Sequence, residues 1–202
     1  MDEKIVKPLL SVSLYGYRAD LMQETIRSLL PHLTYLHWEM IAYMHEGTQE
    51  EAMSHIISTV TGKYILHCQD DWYFYPPSPK FPDWIQKSID VLEKYPDVSC
   101  VRLRKEDDQY SGSKIKKEIE KDVFEINAPI FSLNPFIART KIFREILEEA
   151  FKHPIEGNKG ERLELRCKDA AEKFNYKKVV KLNAHRRGFC VHIGYGRKIK
   201  QR

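Results

Sequence analysis

Residues Tyr64-Ile65-Leu66-His67-Cys68-Gln69-Asp70-Asp71-Trp72 form an apolar run of β-type side chains that ends in two adjacent carboxylates. A strand delivering paired acids at its carboxyl end, straight after Thr61-Gly62-Lys63, is the way an α/β protein presents a divalent cation to a phosphorylated ligand. The alternative is a turn cap, since Asp readily bonds nearby backbone N–H groups. The preceding Gly-Lys and the buried-strand pattern favour the cation.

Other residues offer complementary chemistry. Tyr15, Tyr17 and Arg18 follow the first strand signal, where they can stack on or bond a nucleobase, or simply pack. Trp72, Tyr73, Phe74 and Tyr75 suit a sugar platform or the wall of a site. From Lys177 to Arg202 there are nine Lys/Arg and no Asp/Glu, so the net charge of +4 leaves −5 on the rest of the chain. His185-Arg186-Arg187 and Arg197-Lys198 flank the strand-like Phe189-Cys190-Val191-His192-Ile193, which suggests an ordered structure. Three readings compete for this basic end: a phosphate cradle in an active site, a patch for nucleic acid or anionic lipid, and a solvated tail.

The elements that must position these groups alternate between strand and helix. Residues 9–14 read as a strand, and Asp20 with Gln23 opens a helix carrying Leu21, Ile26, Leu29 and Leu30 on one face, with Pro31 near its end. Residues 38–44 read as a second strand. Thr48-Gln49-Glu50-Glu51 is a capping box that opens a helix ending at Gly62. After the acid-tipped strand, a proline-rich loop leads to a helix over 83–94 and a strand over 98–103. Residues 105–121 dissolve into charge around a Ser-Gly-Ser centre, the pattern of a mobile loop. Helices over 140–152 and 159–175 and strands over 178–182 and 189–193 complete the series. Strands separated by helices imply a mostly parallel central sheet with helices on both faces.

Composition sets the frame. A chain of 202 residues suits one domain, burying ~70% of its unfolded surface. No apolar run approaches the ~20 residues that span a bilayer, and Met1-Asp2-Glu3-Lys4 has no apolar core behind it, so the expectation is a cytoplasmic protein. Cys68, Cys100, Cys167 and Cys190 form no C-x-x-C pair; buried thiols are expected, with one bridge the alternative.

The order of strand, helix, strand, helix, then Gly-Lys-Tyr-Ile-Leu-His-Cys-Gln-Asp-Asp, resembles the nucleotide-binding half of a GT-A fold glycosyltransferase, most like the inverting family-2 type. That resemblance implies a single Rossmann-like domain with a nucleotide-binding half at about 8–104 and an acceptor-side half at about 122–202. Gln69, Asp70 and Asp71 match the three places of the family's D-x-D motif, the first aspartate having become glutamine. It implies that Asp71 reaches the metal, Mn²⁺ or Mg²⁺, and that Gln69 and Asp70 serve the donor. Met44-His45-Glu46-Gly47-Thr48 is similar to the family's acid-rich turn that contacts the base, which implicates Glu46. Glu161-Arg162-Leu163-Glu164-Leu165, ahead of Tyr176-Lys177-Lys178-Val179-Val180, resembles the E-D-x-D-L segment leading to a G-Y-K-V strand. Glu161 and Glu164 fall on its acidic positions, with Arg162 where the usual base aspartate stands. His192-Ile193-Gly194 lies where such folds place a C-terminal metal-binding histidine. The small size is similar to minimal virus-encoded enzymes of this fold.

The resulting expectation is metal-dependent transfer of a sugar from a nucleotide sugar to an unknown acceptor, a glycan, protein or lipid-linked group, with inversion. Asp71 and His192 hold the cation; Glu161, or else Glu164, is the base; Tyr15, Arg18, Glu46, Gln69, Asp70 and Arg197 bind the donor. Each has a structural counterpart: Glu161 suits a helix N-terminus, and His192 suits a core. A nucleotidyltransferase also uses acids at strand ends, but Leu14-Tyr15-Gly16-Tyr17-Arg18 stands where a G-x-G phosphate loop would be. A nucleic-acid-binding module using the basic end ranks lower still; it would show salt-sensitive affinity without metal.

Overall fold

A computed structural model describes residues 9–34, 37–77, 79, 82–104, 114–127, 131, 133–152, 159–176, 178–182 and 188–194. Arg197, the basic 185–187 segment and residues 105–113 lie outside it, as do the side chains of 159–162. The elements are β1 (Leu10–Gly16), α1 (Ala19–Leu29), β2 (Trp38–Met44), α2 (Gln49–Thr59), β3 (Tyr64–Gln69), β4 (Trp72–Phe74), α3 (Trp84–Lys94), β5 (Val98–Arg102), β6 (Lys114–Glu120), β7 (Val123–Asn127), β8 (Phe136–Arg139), α4 (Thr140–Phe151), α5 (Lys159–Lys173), β9 (Lys178–Leu182) and β10 (Cys190–His192).

Among the described residues eight strands form one sheet in the order β2-β1-β3-β8-β5-β9-β7-β6. It is mostly parallel by direction, with only β8 and β7 running against the other six. Period-two alternation sorts its side chains. Leu10, Val12 and Leu14 of β1 join Tyr64, Leu66 and Cys68 of β3 in one buried cluster with Met22, Leu29, Ile85 and Leu92 of α1 and α3. Ile65 points the other way, into a second cluster with Met53 and Ile56 of α2, Phe143 and Ile146 of α4 and Leu163 of α5. Helices therefore cover both faces, and the chain is a three-layer α/β structure.

The order β2-β1-β3 makes β1 the strand from which the chain winds outward in both directions. A crevice at the carboxyl ends of β1 and β3 follows from that reversal. The acids Asp70 and Asp71 lie at this edge. Thr61-Gly62-Lys63 lies at the other end of β3, about 20 Å away at ~3.3 Å per residue. There Lys63 pairs with Glu93 at 3.2 Å. Gly62 passes so close to β1 that a Cβ would stand 2.6 Å from the Ser11 backbone nitrogen. The Gly-Lys pair thus serves the turn into the strand and does not face the carboxylates.

Several expected boundaries move for physical reasons. The capping box of α2 is present, with Thr48 Oγ1 accepting from the Glu51 N–H and the Glu51 carboxylate accepting from the Thr48 N–H; such a cap contributes about 1 kcal/mol. Asp20, expected to open α1, lies within its first turn, and Arg18 occupies the cap position without a side-chain cap bond. Leu30, expected inside, is exposed because the chain tightens into a 3₁₀ turn, Leu30–His32, around Pro31. Part of the expected charged loop, Lys114–Glu120, is the edge strand β6 of a hairpin with β7. Lys116 and Lys117 there pair with the buried Glu125 at 2.7 and 3.6 Å. All four cysteines are buried free thiols.

Candidate functional site

The chain turns directly after Asp71 into β4, whose partner is β10: Trp72 lies opposite His192, Tyr73 opposite Val191 and Phe74 opposite Cys190. Trp72 and Phe74 are wholly buried, each contributing roughly 2–3 kcal/mol of apolar burial. Polar groups of α1 hold the backbone of this ribbon: Thr25 Oγ1 accepts from the Trp72 N–H at 3.1 Å and Ser28 Oγ from the Phe74 N–H at 3.0 Å. The Ile193 N–H donates to the Asp71 carbonyl at 2.9 Å. These contacts carry His192 across 121 positions of sequence to the carboxylates.

Asp70 and Asp71 then divide their work. Asp70 Oδ2 accepts from the backbone N–H groups of Tyr17 at 3.1 Å and Arg18 at 2.9 Å, and from Arg18 Nε at 3.2 Å. Its Oδ1 accepts from Arg18 Nη2 at 2.7 Å. A carboxylate 52 positions beyond Arg18 thus caps α1, supplying negative charge at the helix N-terminus where Asp20 was expected to do so. Gly16 is required there because a Cβ would fall 2.1 Å from Asp70 Cγ.

Asp71 faces the ribbon. Its Oδ2 accepts from Arg18 Nη2 and lies 3.0 Å from His192 Nε2, while its Oδ1 is buried without a hydrogen-bond partner among the described residues. Burial opposes ionisation, yet the His192 and Arg18 contacts hold the Asp71 carboxyl below its ordinary range. The bonds to Asp70 hold Arg18 firmly protonated against the cost of its partial burial. Gly194 presses on the same cluster; a Cβ would stand 2.6 Å from Asp71 Oδ2 and 3.2 Å from Arg18 Nη1.

Beside the carboxylates, at the ends of β1, β2 and β3, opens a cavity of about 360 Å³ whose lining includes Tyr15, Tyr17, His45, Gln49, Gln69 and Asp70. The Tyr15 hydroxyl accepts from both Gln49 Nε2 and Gln69 Nε2 at 2.8 Å. Burial pushes its ionisation up to about 12, the two amide N–H groups pulling back only part of the way, so the phenol is neutral at physiological pH. Gln49 Oε1 is buried in this wall without a partner among the described residues. Below, His67 stacks under Tyr15 at 5.5 Å and meets Ser13 at 2.9 Å; burial drives it down to about 3, so it is neutral.

The structure brings together Tyr15, Arg18, Gln69, Asp70, Asp71 and His192. Glu46 is exposed on the turn between β2 and α2 and does not line the cavity; its neighbours His45, Gly47 and Thr48 do. Glu164 Oε1 accepts from the Leu133 N–H at 2.6 Å, and the Glu164 carbonyl accepts from the Phe131 N–H at 3.3 Å. Glu164 does not line the cavity. The backbone of Glu161 belongs to α5; its side chain and Arg197 lie outside the described residues. Sequence reasoning missed Gln49, hidden as an ordinary residue of the capping box, and Gly194, whose only signal was its place two residues after His192. Among the described residues no three His, Cys, Asp or Glu side chains form a cluster that could hold a metal, and no helix is long and apolar enough to cross a membrane.

No protein-family model matches the chain, and no curated protein matches its sequence. Solved structures do match in shape. GalNAc-T7 with UDP, GalNAc and Mn²⁺ superposes with a TM-score of 0.53 at 9% identity, over 89% of this chain and 43% of that one. TarS of S. aureus gives 0.55 at 13% identity, over 90% of this chain and 59% of the other. The 4-diphosphocytidyl-2C-methyl-D-erythritol synthase of Anaerococcus prevotii DSM 20548 gives 0.51 at 10% identity, over 90% of this chain and 92% of that one. The chain spans about half the length of the first two. Likeness at this identity shows the fold: the chain has the GT-A, Rossmann-like arrangement.

Proposed function

We propose that this chain is a metal-dependent transferase acting on a nucleotide sugar, and that the group it moves is the sugar. The observation that carries this is the meeting of Asp71 and His192 beside a cavity at the strand-end crevice. Asp71 offers a buried carboxylate oxygen with no partner, and an imidazole lies against the same carboxylate. That donor set suits Mn²⁺ or Mg²⁺ held by one or two protein groups together with substrate phosphates. When bound, such an ion neutralises charge developing on a departing diphosphate.

The chain's own residues account for the rest. The cavity takes the nucleoside, with Tyr15 as an aromatic wall and Gln49 and Gln69 as its polar rim. Arg18, fixed by Asp70, turns a permanent cation towards the diphosphate. Trp72 and the ribbon it anchors keep His192 in register with Asp71. An inverting reaction needs a carboxylate on the face opposite the leaving group to take the acceptor proton; Glu161 is the first candidate and Glu164 the second. In this reading residues 8–104 serve the donor and 122–202 the acceptor.

Nucleotidyl transfer is the second reading, favoured by the near-complete coverage of the synthase, whose size matches this chain. Products separate the two. Incubation with a panel of nucleotide sugars and Mn²⁺ should release nucleoside diphosphate as the glycosyl group passes to water in place of the acceptor, with release lost in Asp71→Asn. Pyrophosphate released from a nucleoside triphosphate and a sugar phosphate, with no diphosphate from any nucleotide sugar, would overturn sugar transfer in favour of the second reading.

A further inference from the structure

Resting on that metal reading, we infer that Arg18 is a resident counter-cation that denies the Asp71 carboxylate to a divalent ion until a diphosphate arrives to share the charge. Arg18 is tied to Asp70 through its backbone N–H, Nε and Nη2, and the same Nη2 reaches across to Asp71 Oδ2. One guanidinium therefore bridges both acids. With two carboxylates and one guanidinium, the cluster carries a single net negative charge before a metal comes, too little to draw a dication out of water on its own.

Ligand supply leads to the same conclusion. Of the four carboxylate oxygens, three already accept from Arg18 or the Tyr17 N–H, and Asp71 Oδ1 is left without a partner among the described residues. His192 Nε2 is itself engaged with Asp71 Oδ2 at 3.0 Å, so the protein alone offers little to an ion that takes six ligands. A dication beside Asp71 also lies within a few ångströms of the guanidinium, where like charges in a partly desolvated site repel strongly. Gly194 closes on Arg18 Nη1 and Asp71 Oδ2 from the ribbon side. A diphosphate changes each of these conditions. It adds oxygen ligands and negative charge, and it gives the guanidinium, whose side chain is 22% exposed, an anion to face. Metal and diphosphate must then each tighten the other's binding by the same factor.

The test needs no turnover. Equilibrium dialysis of the full chain against Mn²⁺ alone should show weak binding, and Arg18→Gln should bind Mn²⁺ alone at least tenfold more tightly. Adding Asp71→Asn to Arg18→Gln should erase the gain. Arg18→Lys, which keeps the charge but not the fork, should bind Mn²⁺ alone as weakly as the parent. Circular dichroism verifies the fold of each variant. Should the parent already bind Mn²⁺ alone as tightly as Arg18→Gln, or should a folded Arg18→Gln gain nothing, the inference is overturned. A parent measurement in the micromolar range overturns it even where the variant does not fold. The same dialysis with UDP, CDP and GDP separates this from the reading beneath it. Nucleotide-enhanced Mn²⁺ binding without any gain in Arg18→Gln overturns only the role of Arg18, whereas no Mn²⁺ binding under any condition overturns both.

Discussion

Two ion-pair networks of the same chemical type sit in opposite settings. In one, Arg18 is shared by Asp70 and Asp71, both carboxylates nearly inaccessible to solvent. In the other, Glu120 at the end of the edge strand β6 takes Lys87 at 2.9 Å, Lys94, and the Tyr95 hydroxyl at 3.1 Å, its lysines 41% and 60% exposed. The contact geometry is similar, and the surroundings decide what it does. Water screens the Glu120 network, so it contributes little and reads as sheet-edge protection. Around Arg18 the charges are desolvated, every bond is expensive to break, and one oxygen is left over for a ligand.

Removing Asp70 should therefore have the largest effect on stability. Asp70→Ala strips four acceptor contacts from the start of α1 and leaves Arg18 with only Asp71, which should cost about 3–5 kcal/mol in urea unfolding. A cost below about 1 kcal/mol would place this network with the surface one. Next in size is catalysis. Glu161→Gln should lower transfer by ~10²–10⁴ without changing nucleotide-sugar affinity, the signature of a lost base. Glu164→Gln keeps an oxygen for the Leu133 N–H and should be nearly silent; the reverse pattern moves the base to Glu164. Asp71→Asn should leave the fold intact and remove Mn²⁺-dependent stabilisation by nucleotide sugar, read as the loss of a melting shift.

The smallest effect belongs to the hairpin. Glu120→Gln should cost no more than about 1 kcal/mol, and 1 M salt should abolish most of that. Acid separates the networks further. The bonds from Lys94 and Lys87 lower the Glu120 carboxyl to about 2, so its contribution is present above its unfolded value near 4.5 and fades as pH falls towards 2. Asp71 is also lowered, so its contribution is likewise present above its unfolded value near 3.8 and lost as pH falls through the folded one. Raising the salt should flatten the acid limb more in the parent than in Glu120→Gln, where Glu149, lowered to about 2 by exposed Lys173 and Lys152, still responds. Equal salt sensitivity in both would mean that the Glu120 network adds nothing to acid stability.

Legibility followed range. Residues 64–71 announce a buried strand with acids at its tip because alternation and burial act over neighbours, and the structure has that strand where expected. Thr48 and Glu51 announce their cap for the same reason, a helix N-terminus being completed within four residues. The alternation of strands and helices was enough for a three-layer α/β fold. The hairpin strand β6 was not legible, since Lys114–Glu120 carries charge on both faces and takes its partner from β7.

The sequence by itself determined the helices, most strands, the acid-tipped edge and the absence of a zinc-type cysteine spacing, all properties of residues close together in the chain. Tertiary structure decided what those acids meet. The reversal at β1 sets Tyr17 and Arg18 over the end of β3, so Asp70 becomes a helix cap and Asp71 is left facing the ribbon. The pairing of β4 with β10 brings His192 to that carboxylate, and the turn after β2 sets Gln49 against Tyr15 to shape the cavity. None of these contacts has a local periodicity to announce it, because each is set by which surfaces remain to be buried once the sheet has formed.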